Sequence, residues 1–216
     1  MGIVPNKTPK VAKLLFPSLV WEVPSNEKSI YLTFDDGPTP VITDWVLDTL
    51  NEYGAKATFF CIGKNIKRNP QIFNRILEEG HGIGNHTNNH LKGWNTKTST
   101  YISDIKKCEK QITKHVGAKT TLFRPPYGKI KRKQIKKVQK LGYKIVMWNV
   151  LPVDWDKKVS VTQCLQNAVY YTKPGSIVVF HDSEKAARNM QYALPRVLQQ
   201  FTNEGYKFKR IPELAQ

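Results

Sequence analysis

The sequence predicts an α/β fold in which parallel strands alternate with helical crossovers, as in a barrel or a doubly wound sheet. The main observation is a series of about seven short apolar runs from Ser29 onward, each followed by a segment of helical periodicity. Glycines mark the ends of several of these helical segments, as Gly54 and Gly142 do. A length of 216 residues fits one such domain.

The predicted elements follow one another without a recognisable linker or repeat. The predicted strands are 29–34, 57–62, 81–86, 121–124, 143–150, 176–181 and 206–210. Helical periodicity covers 43–53, 98–116, 129–141, 162–171 and 186–201. One more helix is expected to begin with Asn69 as its N-cap and Pro70 in its first turn, and to end before Gly80.

The composition is that of a globular protein, with 40% apolar and 24% charged residues. No apolar run approaches the roughly 20 residues that span a bilayer, so no transmembrane segment is predicted. The chain carries 34 basic and 17 acidic side chains, a net charge of +17 that favours anionic partners. Residues 129–144 include eight basic side chains and no acid, which we interpret as a solvated helix face.

The three cysteines and the N-terminus bear on the cellular compartment. Cys61, Cys108 and Cys164 are odd in number and form no CxxC pair, so we expect buried thiols and no disulfide. The first 13 residues contain no secretory signal. The chain as written is therefore expected in the cytoplasm, or in the envelope or outside the cell if a leader has been removed.

Unusual polar residues follow the ends of four predicted strands. Asp35 and Asp36 follow the first strand, His86 the third, Arg124 the fourth and His181 the sixth. The carboxyl ends of parallel strands meet at one rim, where α/β proteins bind and react with their ligands. We therefore expect these five side chains to lie close together.

His86 and His90 are four residues apart, so a single helical turn would direct both imidazoles toward one point. Asp35 or Asp36 would complete a two-His, one-carboxylate metal site with positions open for water and substrate. Such ligands suit hydrolytic zinc and also non-haem iron, although the βα alternation argues against the β-sandwich expected of an iron oxygenase. Ordinary core or surface histidines would have the same spacing.

Three further groups could take part in chemistry at this rim. Arg124 lies in a stiff, proline-containing loop and could hold a neighbouring carboxylate ionised, or it could be solvated in a rigid turn. His181 ends a buried run and is a candidate general acid, or a structural histidine. Asp154 and Trp155 follow the fifth run and could supply a supporting carboxylate and an aromatic wall.

Taken together and in this order, these residues resemble the polysaccharide deacetylase family, also called the NodB-homology or carbohydrate esterase family 4 domain. The motifs that carry the resemblance are Thr-Phe-Asp-Asp-Gly-Pro at 33–38, His-Thr-Asn-Asn-His at 86–90, Arg-Pro-Pro-Tyr-Gly at 124–128 and His-Asp at 181–182. The resemblance implies a distorted (β/α)7-type barrel. It also implies a catalytic domain at 29–216 with residues 1–28 packing on it as an extension, and we expect a monomer.

The resemblance implies a metal-dependent hydrolase that removes N-acetyl groups from N-acetylglucosamine units in chitin-like glycans, peptidoglycan or another envelope glycan. Asp36, His86 and His90 would bind one divalent ion, which we expect to be Zn, with Co, Ni or Mn as the other candidates. The basic helix could attract an anionic glycan. No nucleic-acid partner is expected, because no nucleic-acid module is recognisable.

The resemblance also implies roles at the reacting bond. Asp35 would be the base, held by Arg124, and His181 would protonate the departing amine. The backbone N–H of Tyr127 would stabilise the oxyanion. Substrate contacts are expected from Pro126, Tyr127 and Trp155, with Trp94 as a further aromatic that could stack on a sugar or pack in the core.

The chain departs from the family pattern at one position. Members commonly have an acidic residue, paired with the catalytic histidine, where this chain has Leu151. Asp154 is the nearest substitute and Asn149 is another, and the sequence leaves both open. Two alternative functions also remain: an O-acetyl esterase acting on xylan, and a non-catalytic carbohydrate-binding relative, which Leu151 alone favours.

Overall fold

The computed structural model of the protein describes residues 6–212. Residues 1–5, at the start of the expected extension, and residues 213–216, at the end of the expected domain, lie outside the described residues, and so do the predictions made for them. In the described part, no helix combines the length and the apolar character needed to cross a membrane.

Strands and helices alternate as the sequence predicts. The strands are β1 Ser29–Asp35, β2 Thr58–Cys61, β3 Gly82–Asn85, β4 Leu122–Phe123, β5 Lys144–Ile145, β6 Ile177–His181 and β7 Lys207–Phe208. The helices are α1 Lys10–Leu15, α2 Ile42–Glu52, α3 Gly63–Arg68, α4 Pro70–Glu78, α5 Thr98–Val116, α6 Arg132–Lys140, α7 Val161–Tyr170 and α8 Ala187–Asn203.

The strands pair in parallel in the order β5-β4-β3-β2-β1-β6, and β7 adds to the start of β1. A parallel bridge between Val150 and Val178 joins the segment after β5 to β6. Val150 N donates to Ile177 O, and Val179 N donates to Val150 O, each at 3.2 Å. The two ends of the sheet therefore meet, and the α/β fold is a distorted barrel.

The central strand β1 is buried along its whole length, because neighbouring strands and helices cover it on both faces. Phe34 of this strand stacks on Phe59 of β2 and Phe180 of β6, with ring centroids 5.1 and 6.2 Å away. The three cysteines are buried free thiols, as predicted. The apolar interior thus fixes the strands whose carboxyl ends form the rim.

The predicted strand at 143–150 is wrong in extent, because β5 covers only Lys144–Ile145. The next hydrogen bonds go to the N-terminal segment: Val20 N donates to Ile145 O at 2.9 Å, and Met147 N donates to Val20 O at 2.7 Å. A sequence pattern does not reveal that a distant segment inserts beside a strand. The segment 6–28 also bridges Glu22 to Ser176 and Lys7 to Val150.

The helices differ from the predicted ones in further respects. The short helix α3 was not predicted, because its six residues are too few and too polar to show an apolar stripe. The helix expected from residue 129 begins only at Arg132, since Lys131 has extended dihedrals as its N-cap. Asn69 does not cap α4 with its side chain, which instead donates from Nδ2 to Pro38 O at 3.0 Å.

Candidate active site

The predicted polar residues meet at the carboxyl-terminal rim of the barrel. Asp35 and His181 are register partners across β1 and β6. Asn85 and Phe123 are partners across β3 and β4, which brings the next residues, His86 and Arg124, together. The parallel pairing of four strands therefore converts separate sequence motifs into one cluster.

Asp36, His86 and His90 form a group that could hold a metal ion, with one ligand atom of each within 4.8 Å of the others. Asp36 Oδ1 lies 3.2 Å from His90 Nε2 and 3.8 Å from His86 Nε2. This carboxylate oxygen is buried and has no hydrogen-bond partner, which a cation would supply. His86 Nδ1 donates to Arg124 O at 2.8 Å, which leaves Nε2 free to ligate. The residues present therefore fit a divalent ion.

The backbone between the two histidines differs from the expected helical turn. Residues 86–90 form a loop in which Thr87 and His90 have positive φ angles of 64° and 55°. The imidazole centroids are nevertheless 5.0 Å apart. The two rings are thus close together, as predicted. The predicted reason, a helical turn between them, is wrong, because a loop brings them together.

The buried side chain of Asp104, on α5, holds this loop. Its Oδ2 accepts from the backbone N–H groups of Asn88 and Asn89 at 3.0 and 2.9 Å, and its Oδ1 accepts from the Asn89 side chain. Asn85 Oδ1 accepts from Thr87 N at 2.9 Å. Sequence reasoning missed Asp104, because its helical stripe marks only apolar positions and nothing links it to a motif 14 residues earlier.

Asp35 and Arg124 form a buried ion pair, with Arg124 Nη1 2.7 Å from Asp35 Oδ1. The guanidinium is 0% exposed and also donates to Thr33 Oγ1 and to the carbonyls of Val146 and Met147. Burial acts to raise the pKa of Asp35, but Arg124, with smaller contributions from two histidines, holds that pKa below its usual value. Asp35 is therefore a fixed, ionised carboxylate.

The structure brings Asp154 to His181, with Asp154 Oδ1 2.9 Å from His181 Nδ1. Asp154 Oδ2 also accepts from His181 N at 2.7 Å. Burial alone would lower the pKa of His181, but the charge and hydrogen bond of Asp154 outweigh it and raise that pKa to about 9. Asn149 lies elsewhere, bonded to Ser176 and to Ile177 N at the start of β6, and Leu151 is in an apolar cluster with Val179.

Asp182 is a second residue whose part was not predicted. Its Oδ1 accepts from Gly37 N at 3.0 Å, and its Oδ2 accepts from Thr43 Oγ1 at 2.6 Å. Burial raises the pKa of Asp182 to about 8. Asp182 thereby ties the end of β6 to the loop that carries Asp36. Its position directly after His181 in the last motif was the available signal.

Aromatic side chains border the cluster. Tyr127, at a positive φ of 59°, packs its ring 4.6 Å from that of His90 and is 59% exposed. Trp155 meets His181 edge to face, with centroids 4.7 Å apart. Pro126 is buried, which limits what it can offer a substrate. Trp94 is 54% exposed, so it is not a core residue.

Three side chains that could hold a cation lie beside one ionised carboxylate and one protonated imidazole on a parallel α/β barrel, and this is the arrangement of a metal-dependent hydrolase. A family model for polysaccharide deacetylase matches residues 22–146. The chain belongs to the polysaccharide deacetylase family and is an enzyme that hydrolyses amide bonds in acetylated glycans.

Individual relatives show how far the similarity extends. A peptidoglycan-N-acetylglucosamine deacetylase of Bacillus cereus is 40% identical over 198 residues, covering 91% of this chain and 92% of that protein. A chitooligosaccharide deacetylase of Azorhizobium caulinodans is 38% identical over 166 residues, covering 74% of this chain and 76% of that protein. A crystal structure of a peptidoglycan N-acetylglucosamine deacetylase matches with a TM-score of 0.86 and 34% identity, over 91% of this chain and 92% of that one.

Proposed function

We propose that this enzyme removes the acetyl group from N-acetylglucosamine units of an envelope glycan, with peptidoglycan and chitin-like oligomers as the substrates that its relatives indicate. The observation that carries the proposal is the pairing of Asp35 with Arg124 and of His181 with Asp154 around one metal-binding trio. Each pair holds one reactive group in the protonation state that amide hydrolysis requires.

Asp36, His86 and His90 would hold one divalent ion. When bound, such an ion lowers the pKa of a coordinated water toward neutrality and polarises the acetyl carbonyl. Zinc suits two imidazoles and one carboxylate with positions left open. Cobalt, nickel and manganese accept the same donors, and we propose zinc as the native ion.

Asp35 would take the proton from the attacking water. Its Oδ1 is engaged by Arg124, whereas its Oδ2 lies 4.0 Å from His86 Nε2, on the side of the ligand trio. Because Arg124 keeps the carboxylate ionised and fixed in direction, the base needs no reorganisation before it accepts the proton. The backbone N–H of Tyr127 would donate to the oxyanion that forms on the carbonyl oxygen.

His181 would deliver a proton to the sugar nitrogen as the carbon–nitrogen bond breaks, so that acetate and a free amine leave. An amine is a poor leaving group until it is protonated, so this step needs an imidazolium at neutral pH. Asp154 supports that state by raising the pKa of His181 to about 9. Asp154 would thus take the place of the acidic residue that the family has where this chain has Leu151.

The same groups could hydrolyse an O-acetyl ester, as in acetylated xylan. An alcohol leaves more readily than an amine, so a firmly protonated His181 favours the amide substrate. The non-catalytic alternative is disfavoured, because the base, the acid and the ligand residues are all present and paired. For the compartment, we propose the envelope or the exterior of the cell, where a peptidoglycan substrate would be met.

Acetate release from N-acetylglucosamine oligomers and acetylated xylan tests the function. The protein is first stripped of metal and then assayed with and without added zinc. We expect zinc-restored release from the amide substrate in the wild type and none in Asp35→Asn. Asp156→Asn, which removes a carboxylate outside the cluster, serves as the matched control and should retain activity. Release from xylan alone would make the protein an esterase, and release from neither would contradict the proposal.

A further inference from the structure

The loop after His90 presents an aromatic side chain beside the active site. The 3-10 turn Gly93–Asn95 packs on the segment that follows Tyr127: Trp94 Nε1 donates to Ile130 O at 3.1 Å. A Cβ on Gly93 would lie 2.4 Å from Lys129 O, so the two backbones are in close contact. Trp94 and Tyr127 therefore stand on adjoining loops of the same rim.

This aromatic side chain is exposed and held in place. The turn is fixed by Gln134 Nε2, which donates to Gly93 O at 3.0 Å, and by Lys131 Nζ, which donates to Thr96 O at 2.9 Å. Its indole N–H is already paired, yet 54% of the side chain is exposed. A rigid aromatic surface loses little conformational entropy when it binds, which makes it suited to recognising a ligand.

The surroundings of this aromatic ring are positively charged. Lys129 Nζ lies over the Trp94 ring, 4.3 Å from its centroid, as in a cation–π contact. Lys131 reaches the same turn, and Lys92 and Lys97 flank it in the sequence with exposed side chains. A ligand that combines a flat apolar face with a carboxylate would match this combination of ring and ammonium groups.

We propose that Trp94 and Lys129 form a subsite for a carboxylate-bearing sugar unit next to the unit whose acetamide is hydrolysed. The subsite rests on the proposed function for its ligand class, a glycan chain. Trp94 stacks on the sugar face, and Lys129 pairs with the carboxylate. The substrate is then a chain in which neutral N-acetylated units alternate with acidic ones, rather than a uniformly neutral polymer.

Calorimetric binding to the zinc-loaded Asp35→Asn protein tests the subsite without turnover. The probes are a neutral N-acetylglucosamine tetramer and a peptide-free peptidoglycan tetrasaccharide whose alternate sugars carry carboxylates. Trp94→Ala should weaken both ligands about tenfold, and Trp94→Phe should restore most of that loss. Lys129→Gln should weaken only the acidic ligand, about fivefold, and added salt should remove this difference.

The controls are Tyr170→Ala, which removes an aromatic residue that is 78% exposed on α7, and Lys106→Gln on α5. Both should bind the two ligands as the parent protein does. Unchanged binding in Trp94→Ala, or equal weakening of both ligands in Lys129→Gln, would overturn the subsite. A wild-type protein that binds these glycans but releases no acetate would instead overturn the proposed function and leave the subsite standing.

Discussion

His181 receives both its charge state and its orientation from Asp154. One carboxylate oxygen accepts from the imidazole and the other from the backbone N–H of the same histidine. The hydrogen bond from the backbone N–H holds the side chain of Asp154 against the ring. A substitution that removes the charge of this side chain can therefore leave its position unchanged. This separation allows the electrostatic part of the role to be tested by itself.

Asp154→Asn should lower the pKa of His181 from about 9 toward the ordinary value near 6.5. Because the proposed acid works in its protonated form, activity is lost as the pH rises through this pKa. The alkaline limb of the kcat/KM profile should therefore move by roughly one to two pH units toward acid. Asp156→Asn should leave the limb in place, and an unmoved limb in Asp154→Asn would remove Asp154 from this role.

Gly37 lies against Asp182 so closely that a Cβ would stand 1.9 Å from its Oδ2. Gly37→Ala should therefore push the loop away from β6, destabilise the protein by about 2 kcal/mol and displace the adjacent Asp36. Thermal unfolding and zinc affinity measure the two effects. Gly205→Ala, at a positive φ of 81° with nothing within 4 Å, should cost about 1 kcal/mol and leave zinc affinity unchanged. Equal zinc affinity in the two variants would contradict this account.

At the scale of elements, helix α5 supports the loop that carries the two proposed histidine ligands through a single side chain. Asp104 is buried and satisfies two backbone N–H groups and one side-chain amide of the loop between the histidines. The loop has no helical hydrogen bonds of its own, and two of its residues have positive φ angles. The approach of the two imidazoles thus depends on how the helix docks.

Asp104→Ala should weaken zinc binding by about 10- to 100-fold, since it leaves three donors without an acceptor and lets the loop relax. Competition with a coloured chelator measures the zinc affinity directly, without any assay of activity. Ser103→Ala, at the neighbouring exposed position of the same helix, is the control and should bind zinc normally. If Asp104→Ala bound zinc with wild-type affinity, the loop would keep its conformation without Asp104.

At the scale of the whole molecule, buried neutral histidines make stability depend on pH. His81 is buried, and its Nδ1 accepts from Ala57 N at 3.1 Å. Burial, assisted by Lys56, lowers the pKa of His81 to about 4. In the unfolded chain this histidine becomes protonated near pH 6.5, whereas in the folded chain it stays neutral down to about pH 4. Its contribution to the free energy of unfolding is therefore fully present above pH 6.5 and is lost as the pH falls toward 4.

The free energy of unfolding should therefore fall by roughly 3 kcal/mol between pH 6.5 and 4 on account of this residue. Urea unfolding at a series of pH values measures the slope. His81→Asn, which keeps an acceptor for Ala57 N without a titrating ring, should show a shallower slope over the same interval. Identical slopes for the two proteins would assign the pH dependence to other groups.

The sequence was most informative for residues whose position in the fold follows from the parallel pairing of strands alone. Strand-end residues such as Asp35 and His181 were predicted to meet, because parallel strands must bring their carboxyl ends together. The roles of Asp104 and Asp182 were not foreseen, since each depends on how a helix or loop docks after the strands have formed. The pairing of Val20 with the end of β5 and the residues that follow it is of the same kind, because it joins segments more than 100 residues apart.

The bridge between Val150 and Val178 closes the barrel with only three main-chain hydrogen bonds, two of which share the oxygen of Ile177, whereas β1 and β6 pair over five residues. Native-state amide exchange should therefore be fastest for Val150 and Val179 among the barrel's inner strands, because this seam opens locally before the sheet as a whole. Asp154 lies on one side of that seam and His181 on the other. A brief local opening would separate His181, the proposed acid, from Asp154. Activity should therefore be lost on warming at a lower temperature than the one at which the protein unfolds.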